Sequence, residues 1–381
     1  MTLIYVVAGE ASGDVLGARL IARLRGRRPD LAFAGIGGER MAEQGLASLF
    51  PMRELALMGL LEVLPNIRSL ARRMREAVAD VAARRPAAVV TIDSPGFAMR
   101  LAARVKPLGI PIIHYVAPQV WAWRPGRVRE MAHRLDRILA LLPFEAPFFE
   151  RAGIPVTFVG HPVLESGADH GDAARFRAAH GISAEERVVV VMPGSRRTEI
   201  GRLLPVFGET LRLLQRDVPG LRPVVPLAGP VEEAVRNGTA GWPAAPILLR
   251  DVNGKHDAFA AASAGLIKSG TSSLEVALAG VPMAVAYKVN PVTAAIVRRL
   301  IKVRHVSIVN LLADAPVIPE YLQERCRPDL LAAELRRLLD GGSEAEAQRA
   351  GFRRVLSLLS PPDGLAPSEA AAEAVLSMLK A

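Results

Sequence analysis

What most limits the fold of this 381-residue chain is an alternation: apolar runs of strand length are separated by amphipathic stretches of helix length, almost from end to end. A parallel sheet produces that pattern, because connecting helices cover both of its faces and its strands read as near-continuous apolar runs. In the first half, strands are expected at Leu3–Ala8, Ala32–Gly35, Ala88–Asp93, Pro111–Val116, Arg137–Leu141 and Val156–Gly160. The pattern then starts over. Arg187–Met192, Arg222–Leu227, Ile247–Leu249, Gly265–Lys268 and Met283–Ala286 read as a second set, with helices such as Leu203–Gln215 and Ser272–Ala279 between them.

The polar stretch Gly160–Ser183 reads as the linker. That predicts an N-terminal domain over 1–165, a C-terminal domain over 180–327, and helices alone over 328–381. Those helices, at Leu330–Leu339, Ala345–Leu359 and Ser368–Leu379, are free to pack back across either domain. The expected class is α/β, with two doubly wound, Rossmann-like domains facing a cleft and a C-terminal helical segment. In such sheets ligands bind outside the carboxyl ends of the strands, so function is sought in the loops there.

Composition removes several classes. No stretch approaches the roughly 18 consecutive apolar residues of a membrane span, and a strand-like run follows the N-terminus at once, which predicts a cytoplasmic protein that is not integral to a membrane. The single Cys326 excludes an internal disulfide framework and a cysteine-rich metal cluster. Of the net charge of +10, residues 1–160 carry +8, from 22 basic and 14 acidic side chains. Such an excess points that half toward an anionic surface or substrate. With 5% aromatic residues and no zinc-finger spacing, no nucleic acid is expected as a partner.

Two loops of the second half suit an anion. Lys268-Ser269-Gly270-Thr271-Ser272-Ser273-Leu274-Glu275 carries a strand through a small-residue turn into a helix, where unpaired N–H groups and the positive end of the helix dipole face outward. Ser272 to Glu275 reads equally well as a capping box that binds nothing foreign. The second loop, Pro193-Gly194-Ser195-Arg196-Arg197, adds guanidinium groups that can fork onto phosphate oxygens. Together they argue for a nucleotide diphosphate, with Glu275 as a ribose ligand. Asp-x-Asp occurs nowhere in the chain, so no metal cofactor is expected, and arginines with helix dipoles take over the neutralising role.

In the first half, Gly9-Glu10-Ala11-Ser12-Gly13-Asp14 follows the first strand, with Ser12 or Asp14 as helix caps. GxGxxG is absent there, and Gly35-Ile36-Gly37-Gly38 lacks its context. Asp93 stands at the carboxyl end of its strand, placed for general-base work or for starting the helix after Ser94-Pro95. Gln119, Trp121, Trp123 and Arg124 offer flat and basic surfaces suited to a sugar or an anion. With Glu10, Ser12 and Gly13 they form the acceptor-side set.

The stretch Leu55–Pro65, with Leu57, Met58, Leu60 and Leu61, is too apolar for an ordinary surface loop. Behind it, Ile67, Leu70, Met74, Val78 and Val81 share one helical face while Arg68, Arg72 and Arg75 share another. An anionic membrane surface fits this pattern, and so does a core helix with a solvated face. The basic stretch Arg298–Arg304 could contribute to the same contact.

In order and spacing, Ala8–Asp14, Met58-Gly59, Ile92–Pro95, His114–Val116, Val120–Arg124, Leu142–Glu145, Gly160–Pro162, Pro193–Arg196, Ser269–Thr271 and Asn310–Leu312 resemble the lipid-A-disaccharide synthases over residues 3 to 330. The resemblance implies a GT-B, inverting, metal-independent glycosyltransferase of bacterial outer-membrane lipid synthesis. Its reaction would carry 2,3-diacylglucosamine from UDP to the 6-hydroxyl of 2,3-diacylglucosamine 1-phosphate, at the inner face of the cytoplasmic membrane, in a homodimer. It places the base on Asp93, the nucleotide loop on Gly194, Ser195 and Arg196, the ribose and diphosphate segment on Ser269, Gly270, Thr271, Ser272 and Glu275, and a further site residue on Asn310. The chain departs from the pattern at Val309, where many members carry proline. Another GT-B enzyme acting on UDP-N-acetylglucosamine, or a non-catalytic lipid or nucleotide carrier, are the competing readings.

Overall fold

The computed structural model describes residues 2–55, 60–119, 126, 128–291, 294 and 304–379, with backbone alone for 60–67 and 230. It comprises two compact units, Met1–Pro162 with Leu359–Ala381, and Val163–Leu358.

Unit 1 is built on strands β1 (Thr2–Ala8), β2 (Leu31–Ile36), β3 (Ala88–Ile92), β4 (Ile112–Tyr115), β5 (Arg137–Ala140) and β6 (Val156–Phe158). All pair in parallel, in the order β2-β1-β3-β4-β5-β6. Helices α1 (Ala11–Arg27), α2 (Glu39–Glu43), α3 (Leu60–Arg84), α4 (Pro95–Val105), α5 (Val128–Ala132) and α6 (Ala146–Glu150) connect them. Tyr5, Val7, Val89, Ile112 and Ile138 form one sheet face, and Met74, Ala77 and Val81 of α3 pack onto it with Leu101 and Val105 of α4. Each such large side chain removed from water contributes about 1.5–3 kcal/mol before entropy is counted. From Leu70 onward α3 is therefore a core helix, while Arg68, Arg72 and Arg75 stay exposed on its outer face.

Unit 2 contains α7 (Ala173–His180), β7 (Arg187–Met192), α8 (Arg197–Asp217), β8 (Leu221–Pro226), α9 (Glu232–Thr239), β9 (Ile247–Leu249), α10 (Val252–Ala261), β10 (Ala262–Lys268), α11 (Ser272–Leu278), β11 (Met283–Tyr287), α12 (Ile308–Ala313), β12 (Glu320–Leu322), α13 (Pro328–Leu339) and α14 (Ser343–Ser357). Its sheet is also parallel, in the order β12-β11-β10-β7-β8-β9. The final helix, α15 (Pro367–Leu376), belongs to unit 1, where Arg23 of α1 reaches Glu369 at 2.9 Å and Arg27 pairs with Glu373.

Three features lie outside the sequence expectations. The stretch read as linker contains α7, because Phe176 is buried and Arg175 grips Asp257 of α10 through two contacts of 2.6 and 2.7 Å. The strand β12 is not among the expected ones, since Glu-Tyr-Leu opens on a charged residue and does not form an apolar run. The turn Gly160-His161-Pro162 is a packing device: a Cβ on Gly160 would lie 2.8 Å from the Leu359 carbonyl oxygen, which accepts the His161 N–H at 3.0 Å.

Candidate functional site

Both sheets reverse their winding beside their first strand. In unit 2 the chain runs outward from β7 through β8 to β9, then returns to lay β10 on the other side of β7. The loops after β7 and β10 therefore diverge, and the gap between them is a ligand-binding switch point. Those are the two loops the sequence marks as anion-ready. In unit 1 the switch point falls between β1 and β3, so the loop Gly9–Asp14 faces the turn at Asp93.

After β7, Gly194 takes φ +118°, a conformation side chains rarely adopt, and a Cβ there would meet Glu199 Oε2 at 2.4 Å. Helix α8, which the sequence expects Glu199 to open, begins with a capping box formed by that residue. Glu199 Oε2 accepts the N–H groups of Ser195 at 3.2 Å and Arg196 at 3.4 Å. Its other oxygen lies 3.0 Å from Lys268 Nζ at the end of β10 and 3.5 Å from Arg196 Nη1. One nearly buried carboxylate thus ties the two loops together.

After β10 the capping box that the spacing equally allows does not form. Helix α11 starts at Ser272 with Thr271 at the N-cap in helical geometry and no side-chain cap, while Ser273 Oγ donates to the Gly270 carbonyl at 2.7 Å. Glu275 turns instead to Lys255 of α10, with contacts of 3.0 and 3.2 Å. An ammonium on a neighbouring helix outcompetes a backbone amide for that carboxylate, because charge-assisted contacts are the stronger. Ser269 is buried, with its hydroxyl 3.2 Å from the Val306 carbonyl. Gly270 and Thr271 remain at the turn itself.

Asn310 is bound within its own loop. It is buried; its amide nitrogen donates to the Ile318 carbonyl at 2.8 Å and to Glu320 at 2.9 Å, and its oxygen accepts the Ile318 N–H at 2.9 Å. Those bonds consume both of its donors. In this ligand-free structure the side chain is engaged by its own loop.

In unit 1 the strand β3 stops at Ile92, one residue earlier than expected. Asp93 and Ser94 both take left-handed backbone conformations, with φ of +52° and +46°. Two consecutive non-glycine residues in this region cost about 1–2 kcal/mol each, and strain of this kind collects at functional turns. The next strand end repeats it at Val116, a β-branched residue at φ +76°. Asp93 is half-buried; its N–H donates to the Tyr115 carbonyl at 2.9 Å, and its Oδ1 accepts the Ser94 N–H at 2.8 Å. Among the described residues its second oxygen accepts no hydrogen bond. Asp93 does not cap α4, whose N-cap is Ser94.

Across the switch point, Gly9 comes so close to this turn that a Cβ on it would meet Ser94 Oγ at 2.3 Å. The N-cap of α1 is Glu10, with no side-chain cap from Ser12 or Asp14. Ser12 is exposed, and Gly13 lies buried with its Cβ position 3.4 Å from the Ile92 carbonyl. Asp14 is buried and serves a different helix, accepting N–H groups of Gly38 at 2.8 Å, Arg40 at 2.9 Å and Met41 at 3.1 Å at the start of α2. His114, beside Asp93 on β4, is no rival base. Burial lowers its pKa to about 4, and its Nδ1 lies 2.8 Å from Thr91 Oγ1. Gln119 is exposed after β4. Trp121, Trp123, Arg124, Leu57 and Met58 lie outside the described residues, as do the side chains of Leu60 and Leu61.

Among the described residues no helix is long and apolar enough to cross a membrane, and no cluster of three or more His, Cys, Asp or Glu side chains could hold a metal ion.

The family described as lipid-A-disaccharide synthetase matches residues 4–374 of this chain. A lipid-A-disaccharide synthase from Granulibacter bethesdensis is 54% identical over 388 residues, covering 99% of this chain and 98% of that one. Another from Gluconobacter oxydans is 53% identical over 377 residues, covering 99% and 91%. Among solved structures, the S. aureus MnaA–UDP complex has a TM-score of 0.67 at 14% identity, covering 99% of this chain and 95% of that one. The glycotransferase of kitacinnamycin has a TM-score of 0.65 at 18% identity, covering 99% of each. These two likenesses speak to the fold alone: two Rossmann-like units of the GT-B kind. Similarity of more than half in identical residues along the whole length, with the family's motifs at both switch points, decides the matter: the chain belongs to the lipid-A-disaccharide synthase family of glycosyltransferases.

Proposed function

We propose that this chain transfers a 2,3-diacylglucosaminyl group from UDP to the 6-hydroxyl of 2,3-diacylglucosamine 1-phosphate, with inversion at the anomeric carbon. The observation that carries the division of labour is the coincidence of the candidate loops with the two switch points. Unit 2 holds the donor, with Gly194, Ser195, Arg196 and the turn Ser269–Ser272 at the diphosphate and Glu275 toward the ribose. Unit 1 holds the acceptor around Asp93, with Glu10, Ser12, Gly13 and the Gln119 loop beside it.

In the reaction the acceptor oxygen forms a bond to the anomeric carbon as the bond from that carbon to the UDP oxygen breaks. UDP leaves with the electron pair, and the hydroxyl proton passes to Asp93. The two backbone contacts that fix Asp93 leave one oxygen to accept that proton. Arg196 and the first turn of α8 balance the charge on the departing diphosphate without a metal. Incubating the chain with both diacylated sugars in the presence of a chelator tests this directly, with one disaccharide 1-phosphate and one UDP expected per turnover. Absence of disaccharide would overturn the proposal.

The same proposal places the chain against the inner face of the cytoplasmic membrane, through the apolar segment before and within the start of α3. Support comes from Arg68, Arg72 and Arg75, which are exposed along one stretch of that helix. Cosedimentation with anionic but not with neutral vesicles is expected, and equal behaviour with both would remove this part.

A further inference from the structure

Glu199 gathers polar donors from both donor-side loops. Oε2 takes the amides of Ser195 and Arg196, and Oε1 takes Lys268 Nζ and the Arg196 guanidinium. The amide contacts, at 3.2 and 3.4 Å, are long for bonds to a carboxylate, which usually close to about 2.7–2.9 Å. Lys268 makes the short one, at 3.0 Å, although the two side chains are only 18% and 10% exposed. That ammonium also lies 3.3 Å from the position a Cβ on Gly270 would take, at the mouth of the turn after β10. The Tyr287 ring stands 5.5 Å away on another side, within cation–π range.

We propose that Glu199 is an internal counter-anion that keeps these donors gathered while the site is empty, and that Lys268 exchanges it for the donor's diphosphate on binding. The proposal rests on the assignment of the loops at Gly194–Arg196 and Ser269–Ser272 to the diphosphate. A diphosphate brings more negative charge than one carboxylate and competes for the same donors, so the exchange is favoured when it arrives. Glu199 then stands as an uncompensated like charge beside the bound phosphates. It braces the empty loops and opposes UDP, whereas a residue that only braced the loops would favour UDP.

The sign of one change separates these roles. Glu199→Gln keeps the shape and an oxygen for the amides but removes the charge. Titration of the full chain with UDP should show binding about five- to thirty-fold tighter, a like-charge effect at close range in a partly buried site. Lys268→Met should weaken UDP by about tenfold, the loss of one charge-assisted contact. In the double variant most of the gain from Gln should disappear, because it acts through Lys268. Unchanged or weaker UDP binding by Glu199→Gln overturns the proposal, as does unchanged binding by Lys268→Met, which alone decides the matter should the Gln variant fail to fold. Wild-type chain that binds UDP, with Arg196→Ala weakening it and Glu199→Gln not tightening it, sinks this inference alone. Absence of UDP binding by wild type sinks the donor-loop assignment beneath it.

Discussion

Both units are parallel sheets that reverse their winding beside their first strand, yet they finish their switch points in opposite ways. Unit 2 ends its strands in charge: Glu199 with Lys268, Glu275 with Lys255, and Arg196 beside them. Unit 1 ends its strands in strain, with Asp93, Ser94 and Val116 at positive φ and a single carboxylate fixed by backbone contacts. On the proposed assignment of donor and acceptor, the difference teaches what each chemistry requires. A diphosphate needs several mobile cations held near one another and kept from repelling, which paired carboxylates achieve. Proton transfer needs one acceptor atom at a fixed place, and two left-handed residues in succession hold it there more rigidly than a flexible side-chain network could.

This contrast can be broken by experiment. The largest effect is expected from Asp93→Asn, which should lower turnover by about 10²–10⁴ with UDP affinity unchanged. A comparable loss of UDP affinity in a titration would show that unit 1 also grips the donor, and the division would fall.

Next comes acid. Burial lowers both His114 and His161, each in unit 1, to about 4. In the unfolded chain these rings take up protons near pH 6.5 and in the fold they do not, so stability rises with pH between about 4 and 6.5 and is lost as pH falls through that window. Moving from pH 7 to pH 5 should cost unit 1 about 2 kcal/mol per histidine. Hydrogen exchange at β3 and β4 should speed up more than at β7 and β10, and equal acceleration in both sheets would blur the contrast.

Asp14→Ala follows. It removes the acceptor of three amides at the start of α2, and should cost about 2–3 kcal/mol in denaturant unfolding. A loss of under about 0.5 kcal/mol would mean that water replaces the carboxylate there. Smallest is Gly194→Ala. A methyl group at φ +118°, pressed on Glu199, should reduce UDP affinity by about tenfold and stability by about 1 kcal/mol, read by titration and thermal melting. An unchanged affinity would mean that the loop after β7 does not approach the donor.

Much of the fold was legible because its signals are local. Among the described residues eleven of twelve strands stand where apolar runs predicted them, and β12 was missed because Glu320-Tyr321-Leu322 opens on a charged residue and is not an apolar run. The candidate loops were legible as loops, since glycine and small residues mark turns wherever they occur. Their partners were not. Glu275 belongs to a capping box by spacing and to Lys255 by proximity; Asp14 reads as a cap for α1 and serves α2. Asn310, carried as a site residue by family resemblance, is hydrogen-bonded within its own loop, a pairing no spacing announces.

By itself, then, the sequence determined two parallel, doubly wound sheets and the set of strand-end loops from which a site could be drawn. Period and turn chemistry are properties of neighbours along the chain, and they survive without knowledge of the rest. Only the tertiary structure decided which loops meet at each switch point, which carboxylate is paired, and which is left with an open oxygen. Glu199 and Lys268 are 69 positions apart and 3.0 Å apart in space. Charge interactions fall with distance through space rather than along the chain, so no reading of spacing could have joined them.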